Sequence, residues 1–227
     1  MKIQPKKNYH HTPQVKICGL TRADQSVACA DLGADAIGCV FYPKSPRNVS
    51  LDQAKEILRP LPSHVKGTGV FVNAAYDEIM HIVDHCGLKA VQLHGQESPE
   101  LVQRLIQREI IVIKALFMTR EPFLHQAENY PASAYLVECG KGDLPGGNAM
   151  TWNWKDTLAF GKTHTMILAG GLSSENVAEA FSNAIPAALD VSSGVESSPG
   201  IKDLVKVASF LKAVKTCKIM KILNKIF

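Results

Sequence analysis

No run of apolar residues in this sequence reaches the roughly 18 needed to span a bilayer, and the opening MKIQPKKNYHHTPQ holds no apolar stretch of the kind that directs secretion. A cytoplasmic protein without a membrane span is expected. Cys-x-x-Cys pairs are missing too: Cys18, Cys29, Cys39, Cys86, Cys139 and Cys217 stand singly and far apart. That spacing argues against a zinc site or a disulfide framework and for reduced thiols, so no metal is expected. The two ends lack acids altogether. Lys2, Lys6 and Lys7 at the start and Lys212, Lys215, Lys218, Lys221 and Lys225 at the end exceed the net charge of +4, so the body between them carries −4. A nucleic-acid surface requires basic residues on the folded body with aromatics interleaved, and no nucleic-acid partner is expected. The ends read as solvated extensions, residues 1–14 and 216–227. The second could instead continue the last helix, or touch a membrane surface or partner.

What is present is a chain of 227 residues, 46% hydrophobic, long enough for one substantial core. Short β-rich runs alternate with helical patterns. The strand candidates are VKIC (15–18), AIGCVF (36–41), GTGVFV (67–72), AVQLH (90–94), IIVIKAL (110–116), AYLVE (134–138), TMILA (165–169) and AALDV (187–191). Between them, hydroxyls at Thr21, Ser50, Ser98 and Ser173 or Ser174 are placed to cap the free amides of a first helical turn. Eight β-then-α units predict an α/β fold, a (β/α)8 TIM barrel in a single domain over residues 15–215; a doubly wound open sheet is the competitor.

In a barrel the βα loops build the active site, so function belongs at the carboxyl ends of the strands. Polar and reactive groups gather there. Cys18 ends the first run, His94 the fourth and Glu138 the sixth; Lys114 nearly ends the fifth and Asp190 the eighth. Period-2 alternation puts Lys16 on the face of Cys18 and Gln92 on that of His94. The carboxylate of Glu138 closes an otherwise apolar run, a position that is costly unless the acid is paired or titrates. The seventh run enters Ala169-Gly170-Gly171-Leu172-Ser173 and the eighth enters Ser192-Ser193-Gly194-Val195-Glu196. Glycines let backbone amides approach an anion closely, and loops after strands 7 and 8 of barrels often hold a phosphate. Gly170, Gly171, Ser193 and Gly194 are the candidates. A lone Gly-Gly reads as a simple turn; two such loops in consecutive units point to a phosphorylated ligand.

Five segments, KICGLT (16–21), FYPKSPR (41–47), VQLHG (91–95), ILAGGLSSENV (167–177) and LDVSSGVE (189–196), occur in an order that resembles the phosphoribosylanthranilate isomerase family of tryptophan biosynthesis. The resemblance runs from about Val15 to the last helix. It implies the Amadori rearrangement of N-(5-phosphoribosyl)anthranilate to 1-(2-carboxyphenylamino)-1-deoxyribulose 5-phosphate, with no cofactor, a phosphosugar-anthranilate substrate as partner, and a monomer or homodimer. It also implies that Cys18 is the general base and that Arg47 pairs with the anthranilate carboxylate. A base role requires a nearby positive charge, which Lys16 is placed to supply. The bland readings are a buried thiol for Cys18 and a solvated loop residue for Arg47. His94 and Asp190 fall on positions suited to orienting the substrate or the acid, holding the sugar, or fixing the phosphate loop. Lys114 is a candidate partner of Asp190 or Glu138. Cys29, Cys39, Cys86 and Cys217 read as structural thiols, while Cys139, beside Glu138, stays ambiguous.

The departure from the family lies at Glu138. An aspartate followed by a G-G-T-G loop and F-D-W is usual there; here the acid is longer by one methylene and the segment runs to Asn148-Ala149 and Trp152-Asn153-Trp154. Glu138 is the expected general acid, with Asp143 of the following loop next in line. Another phosphosugar barrel, such as a histidine-pathway isomerase or indoleglycerol-phosphate synthase, is the competing enzyme reading. A barrel that only binds a phosphorylated ligand is the competing non-catalytic one.

Overall fold

A computed structural model describes residues 12–141, 151–219 and 222–227 of the chain. Eight parallel strands close into a barrel in sequence order, β1 Gln14–Cys18, β2 Ala36–Phe41, β3 Lys66–Phe71, β4 Ala90–Leu93, β5 Ile111–Phe117, β6 Ala134–Glu138, β7 Met166–Leu168 and β8 Ala188–Val191, with β8 pairing back onto β1. The open-sheet alternative is thereby excluded. Each predicted strand is found, with ends displaced by a residue at most. Near-continuous apolar runs suit strands covered on both faces.

Among the described residues seven helices surround the strands: α1 Ala23–Asp31, α2 Leu51–Leu58, α3 Tyr76–Cys86, α4 Pro99–Ile106, α5 Leu158–Thr163, α6 Val177–Ala184 and α7 Leu204–Val214. After β5 only a 3₁₀ segment, Leu124–Asn129, occupies the helical position. Ser50 caps α2 in a full capping box, its hydroxyl accepting from Gln53 N at 3.2 Å while the Gln53 side chain accepts from Ser50 N at 3.0 Å. Ser98 caps α4 ahead of Pro99 in the first turn. Two expected caps are not formed. Thr21 instead donates its hydroxyl to the Gly200 carbonyl at 2.6 Å, and α6 starts only at Val177. Neither Ser173 nor Ser174 caps it, because Asn176 ties Ser173 N and the Gly171 carbonyl into the turn that precedes the helix.

Two apolar layers form. The larger lies between strands and helices and includes Ile17, Ile37, Phe71, Leu93, Val102 and Phe210. The inner layer is built from Ala36, Ile113, Ala134, Leu136, Ile167 and Ala188, many of them small. Ile226 and Phe227 belong to that same inner cluster. The C-terminal segment is thus not a solvated tail, and it does not continue α7, which stops at Val214. Its last two residues reach the amino-terminal ends of the strands, where Gln14 Oε1 accepts from Ile226 N at 2.6 Å and Phe227 N at 3.0 Å, and Gln14 Nε2 donates to the Phe227 carbonyl at 2.9 Å. Phe227 is only 3% exposed. Small side chains in the barrel interior leave room that a phenylalanine fills, and burying that ring is favourable by roughly 1.5–3 kcal/mol. Residues 1–11, most of the expected N-terminal extension, and the 142–150 loop with Asp143 lie outside the described residues. Among the described residues no helix is long and apolar enough to cross a membrane.

Candidate active site

Strand alternation places Gln14, Lys16 and Cys18 on one face of β1, at successive levels from the amino-terminal end to the carboxyl end. Lys16 is fully buried and donates to Asp190 Oδ1 of the neighbouring β8 at 2.8 Å, the two residues being register partners. Burial opposes the charge on Lys16, but Asp190 together with Cys18 outweighs it and holds the lysine pKa above its ordinary value. Cys18 is 7% exposed and packs with Val40 and Val70. Burial pushes its thiol up; Lys16 pulls it down without prevailing, and Asp190 adds to the upward push. The expectation that Lys16 activates the thiolate is met in position but not in net effect, because burial of the thiol, with Asp190 adding to it, outweighs the ammonium.

Glu138 ends β6 and is buried. Its Oε1 lies 3.4 Å from His94 Nε2, and His94 Nδ1 lies 2.9 Å from Gln92 Nε2. With the Gln92 amide against Nδ1, Nε2 is the ring nitrogen that faces the carboxylate. The ring is held edge-on against Phe117, centroids 5.5 Å apart. His94 thus stands between Gln92 and the Glu138 carboxylate.

Lys114 does not join this group. It lies mid-strand in β5, out of phase with the inner residues Ile113 and Ala115, and pairs with Glu97 at 2.8 Å rather than with Asp190 or Glu138. Its ammonium also donates to the Gly95 carbonyl at 2.7 Å, while Glu97 accepts from Gly95 N at 2.9 Å, so the pair secures the turn that follows β4 and His94.

Glu138, Asp190, Gly170, Gly171, Ser193 and Gly194 line one cleft with about 510 Å³ of empty space, part of it open to solvent. Gly170 and Gly171 take φ of +88° and +69°, a region that strains other residues. At Gly194 a side chain would overlap the Leu172 carbonyl, so the two loops touch through backbone. Lys141, at the edge of the same cleft, escaped notice in the sequence. Cys18, Arg47 and His94 do not line it; Cys18 adjoins it through the Lys16–Asp190 pair, His94 through Glu138, and the Arg47 stem lies at Gly19, near the lining residue Ser192. Among the described residues no cluster of three metal-ligating side chains occurs.

Arg47 is neither solvated nor unpaired. It is 6% exposed, and its Nε and Nη2 donate to Glu196 Oε1 and Oε2 at 2.9 and 2.7 Å. Its aliphatic stem crosses Gly19, where an added Cβ would lie 2.5 Å from Arg47 Cδ, so the guanidinium is carried close to the strand end bearing Cys18. Glu196 and Lys202 are site-adjacent residues that spacing did not reveal, since 149 residues separate Arg47 from Glu196. Cys29, Cys39 and Cys217 are buried with their pKa values raised by that burial, whereas Cys86 is half-exposed.

A closed (β/α)8 barrel with an acid, a thiol and two glycine loops at the carboxyl ends of its strands defines an enzyme of the phosphosugar-barrel type. The family model described as N-(5'phosphoribosyl)anthranilate (PRA) isomerase matches residues 15–213, and the chain belongs to that family of isomerases. It is 50% identical over 199 residues to N-(5'-phosphoribosyl)anthranilate isomerase of Desulfatibacillum aliphaticivorans, covering 88% of this chain and 91% of that one. The phosphoribosyl anthranilate isomerase of Thermotoga maritima superposes with a TM-score of 0.83 at 38% identity, over 90% of this chain and 99% of that one. A structure of phosphoribosyl anthranilate isomerase in complex with reduced 1-(o-carboxyphenylamino)-1-deoxyribulose 5-phosphate gives a TM-score of 0.80 at 38% identity, over 90% of this chain and 99% of that one.

Proposed function

We propose that the chain converts N-(5-phosphoribosyl)anthranilate to 1-(2-carboxyphenylamino)-1-deoxyribulose 5-phosphate in tryptophan biosynthesis, with Glu138 as general acid and Cys18 as general base. The observation that carries this reading is the ring of groups at one barrel mouth: Cys18 coupled through Lys16 to Asp190, and Glu138 and Asp190 together in the cleft walled by the glycine loops. Glu138 protonates the furanose ring oxygen as the C1–O bond breaks, and the anilino nitrogen lone pair completes a C=N bond. With Oε1 facing His94 Nε2, Oε2 is the oxygen that carries the transferred proton. The Cys18 thiolate then removes the C2 proton, and those electrons form the enolamine. Tautomerisation moves the hydroxyl proton from O2 and adds one at C1. Gly170, Gly171, Ser193 and Gly194 hold the phosphate through backbone amides, Arg47 takes the aryl carboxylate, and Asp190 stands beside the sugar.

A buried thiol with a raised pKa is a sparse but strong base, since basicity rises as the thiolate population falls. In an assay following loss of the substrate's anthranilate fluorescence, Glu138→Gln and Cys18→Ala each lower kcat by about 10²–10⁴-fold. Affinity for a reduced product analogue stays close to that of the parent chain. Near-normal turnover in Glu138→Gln would remove it as the acid and leave Asp143 next in line; no turnover in the parent above the Cys18→Ala control would sink the reaction itself.

A further inference from the structure

The guanidinium of Arg47 is held by a device that the reaction does not explain. Glu196 begins the first strand of a short hairpin, β9 Glu196–Ser198 and β10 Ile201–Lys202, in which Lys202 is its register partner. Its Oε1 accepts not only from Arg47 but from Lys202 Nζ at 2.7 Å and Gly200 N at 3.2 Å. Lys206 donates to its backbone carbonyl at 2.9 Å. The hairpin is in turn pinned to the wall beside Cys18: Gln25 on α1 exchanges two hydrogen bonds with the Lys202 backbone, at 2.7 and 3.0 Å, and Thr21 grips Gly200.

Two consequences follow from this geometry. Glu196 engages Arg47 side-on, through Nε and one Nη2 proton, and among the described residues no further hydrogen bond engages the guanidinium. Nη1 and the second Nη2 proton are left on the far edge, the pair that receives a second carboxylate in two parallel hydrogen bonds. The charges are also unbalanced. Arg47 and Lys202 bring two buried positive charges to one carboxylate, and burial lowers the pKa of Lys202 while the two cations hold Glu196 below the usual carboxylate range. A net positive, desolvated cluster favours an incoming anion.

We propose that Glu196 is a positioning residue: it fixes the plane and reach of Arg47 so that the free guanidinium edge receives the aryl carboxylate, and Lys202 supplies the charge excess that makes the carboxylate welcome. This rests on the reading that Arg47 binds that carboxylate. The test compares affinity for the reduced product analogue with affinity for the same compound lacking the aryl carboxylate, in the parent chain and in Glu196→Gln, Glu196→Asp and Arg47→Ala. A misplaced binding group costs on the order of 10²-fold, so Glu196→Gln reduces the preference for the carboxylate compound by about 10–100-fold. KM for the substrate rises accordingly, and kcat changes far less. Glu196→Asp keeps the buried charge and covers a Gln variant that does not fold; it draws the guanidinium back by a methylene and reduces the preference in the same direction. A parental preference in a folded Glu196→Asp or Glu196→Gln variant, with Arg47→Ala abolishing it, overturns the positioning role alone. A parental preference in Arg47→Ala overturns the carboxylate reading beneath it.

Discussion

The two ends of this barrel are closed by opposite chemistry. At the carboxyl ends of the strands stand charged and hydrogen-bonded groups, Lys16 with Asp190, His94 with Glu138 and Arg47 with Glu196. At the amino-terminal ends the interior is stopped by Ile226 and Phe227, with Gln14 satisfying the backbone groups that bring them there. One strand, β1, touches both, with Gln14 at the floor and Cys18 at the mouth. Buried ion pairs are weak sources of stability, since desolvation offsets much of the attraction, whereas apolar closure stabilises outright. The floor thus serves the fold, and the mouth spends stability on a fixed arrangement of charges.

The sharpest way to break this contrast is Lys16→Met. It leaves Asp190 buried without its cation, a loss of about 3–5 kcal/mol. Differential scanning calorimetry should show a Tm fall of roughly 6–20 °C at 2–4 °C per kcal/mol, together with loss of turnover. Adding Asp190→Leu should return much of the stability and none of the activity. Full recovery of activity in the double variant would mean that the pair serves the fold and not the chemistry.

Phe227→Ala probes the other end. Loss of the buried ring is expected to cost roughly 1.5–3 kcal/mol and lower Tm by about 3–12 °C, with kcat and KM unchanged well below the new Tm. Lost turnover in the folded variant would show that floor and mouth are coupled.

The smallest effects are in the pH dependence of stability. The Glu196 carboxyl is held below its ordinary range, so its contribution is complete above the unfolded value of about 4.3 and is lost as pH falls through the folded one. Cys29, on the buried face of α1, is pushed up to about 11 by that burial. Its contribution is complete below the unfolded value of about 8.5 and declines as pH rises toward the folded one. Chemical denaturation across pH should therefore lose its alkaline decline partly in Cys29→Ser, and its acid decline partly in Glu196→Gln. An unaltered profile in either variant would remove that group from the balance.

The strand ends were legible in the sequence because a polar residue closing an apolar run is costly to bury and its level along a parallel strand follows from counting. Cys18, His94, Glu138 and Asp190 were found in this way, and the glycine loops through the backbone freedom they provide. Lys114 was misjudged because it lies one residue out of phase: strand order alone does not tell which carboxylate a buried lysine meets. The caps expected at Thr21 and Ser173 were outcompeted by longer-range partners, the Gly200 carbonyl and the Asn176 side chain.

Local pattern by itself determined the alternation of eight strands with helical segments, and with it the end of the barrel at which chemistry stands, because period and capping are short-range properties. Tertiary structure alone decided the partners. Glu196 reaches Arg47 across 149 residues, Lys16 is shared between a thiol and a carboxylate, and the chain's last two residues return over 212 and 213 positions to meet Gln14. Such pairings depend on closure of the barrel, which brings β8 beside β1 and sets Gln14 against the chain's last two residues at one floor.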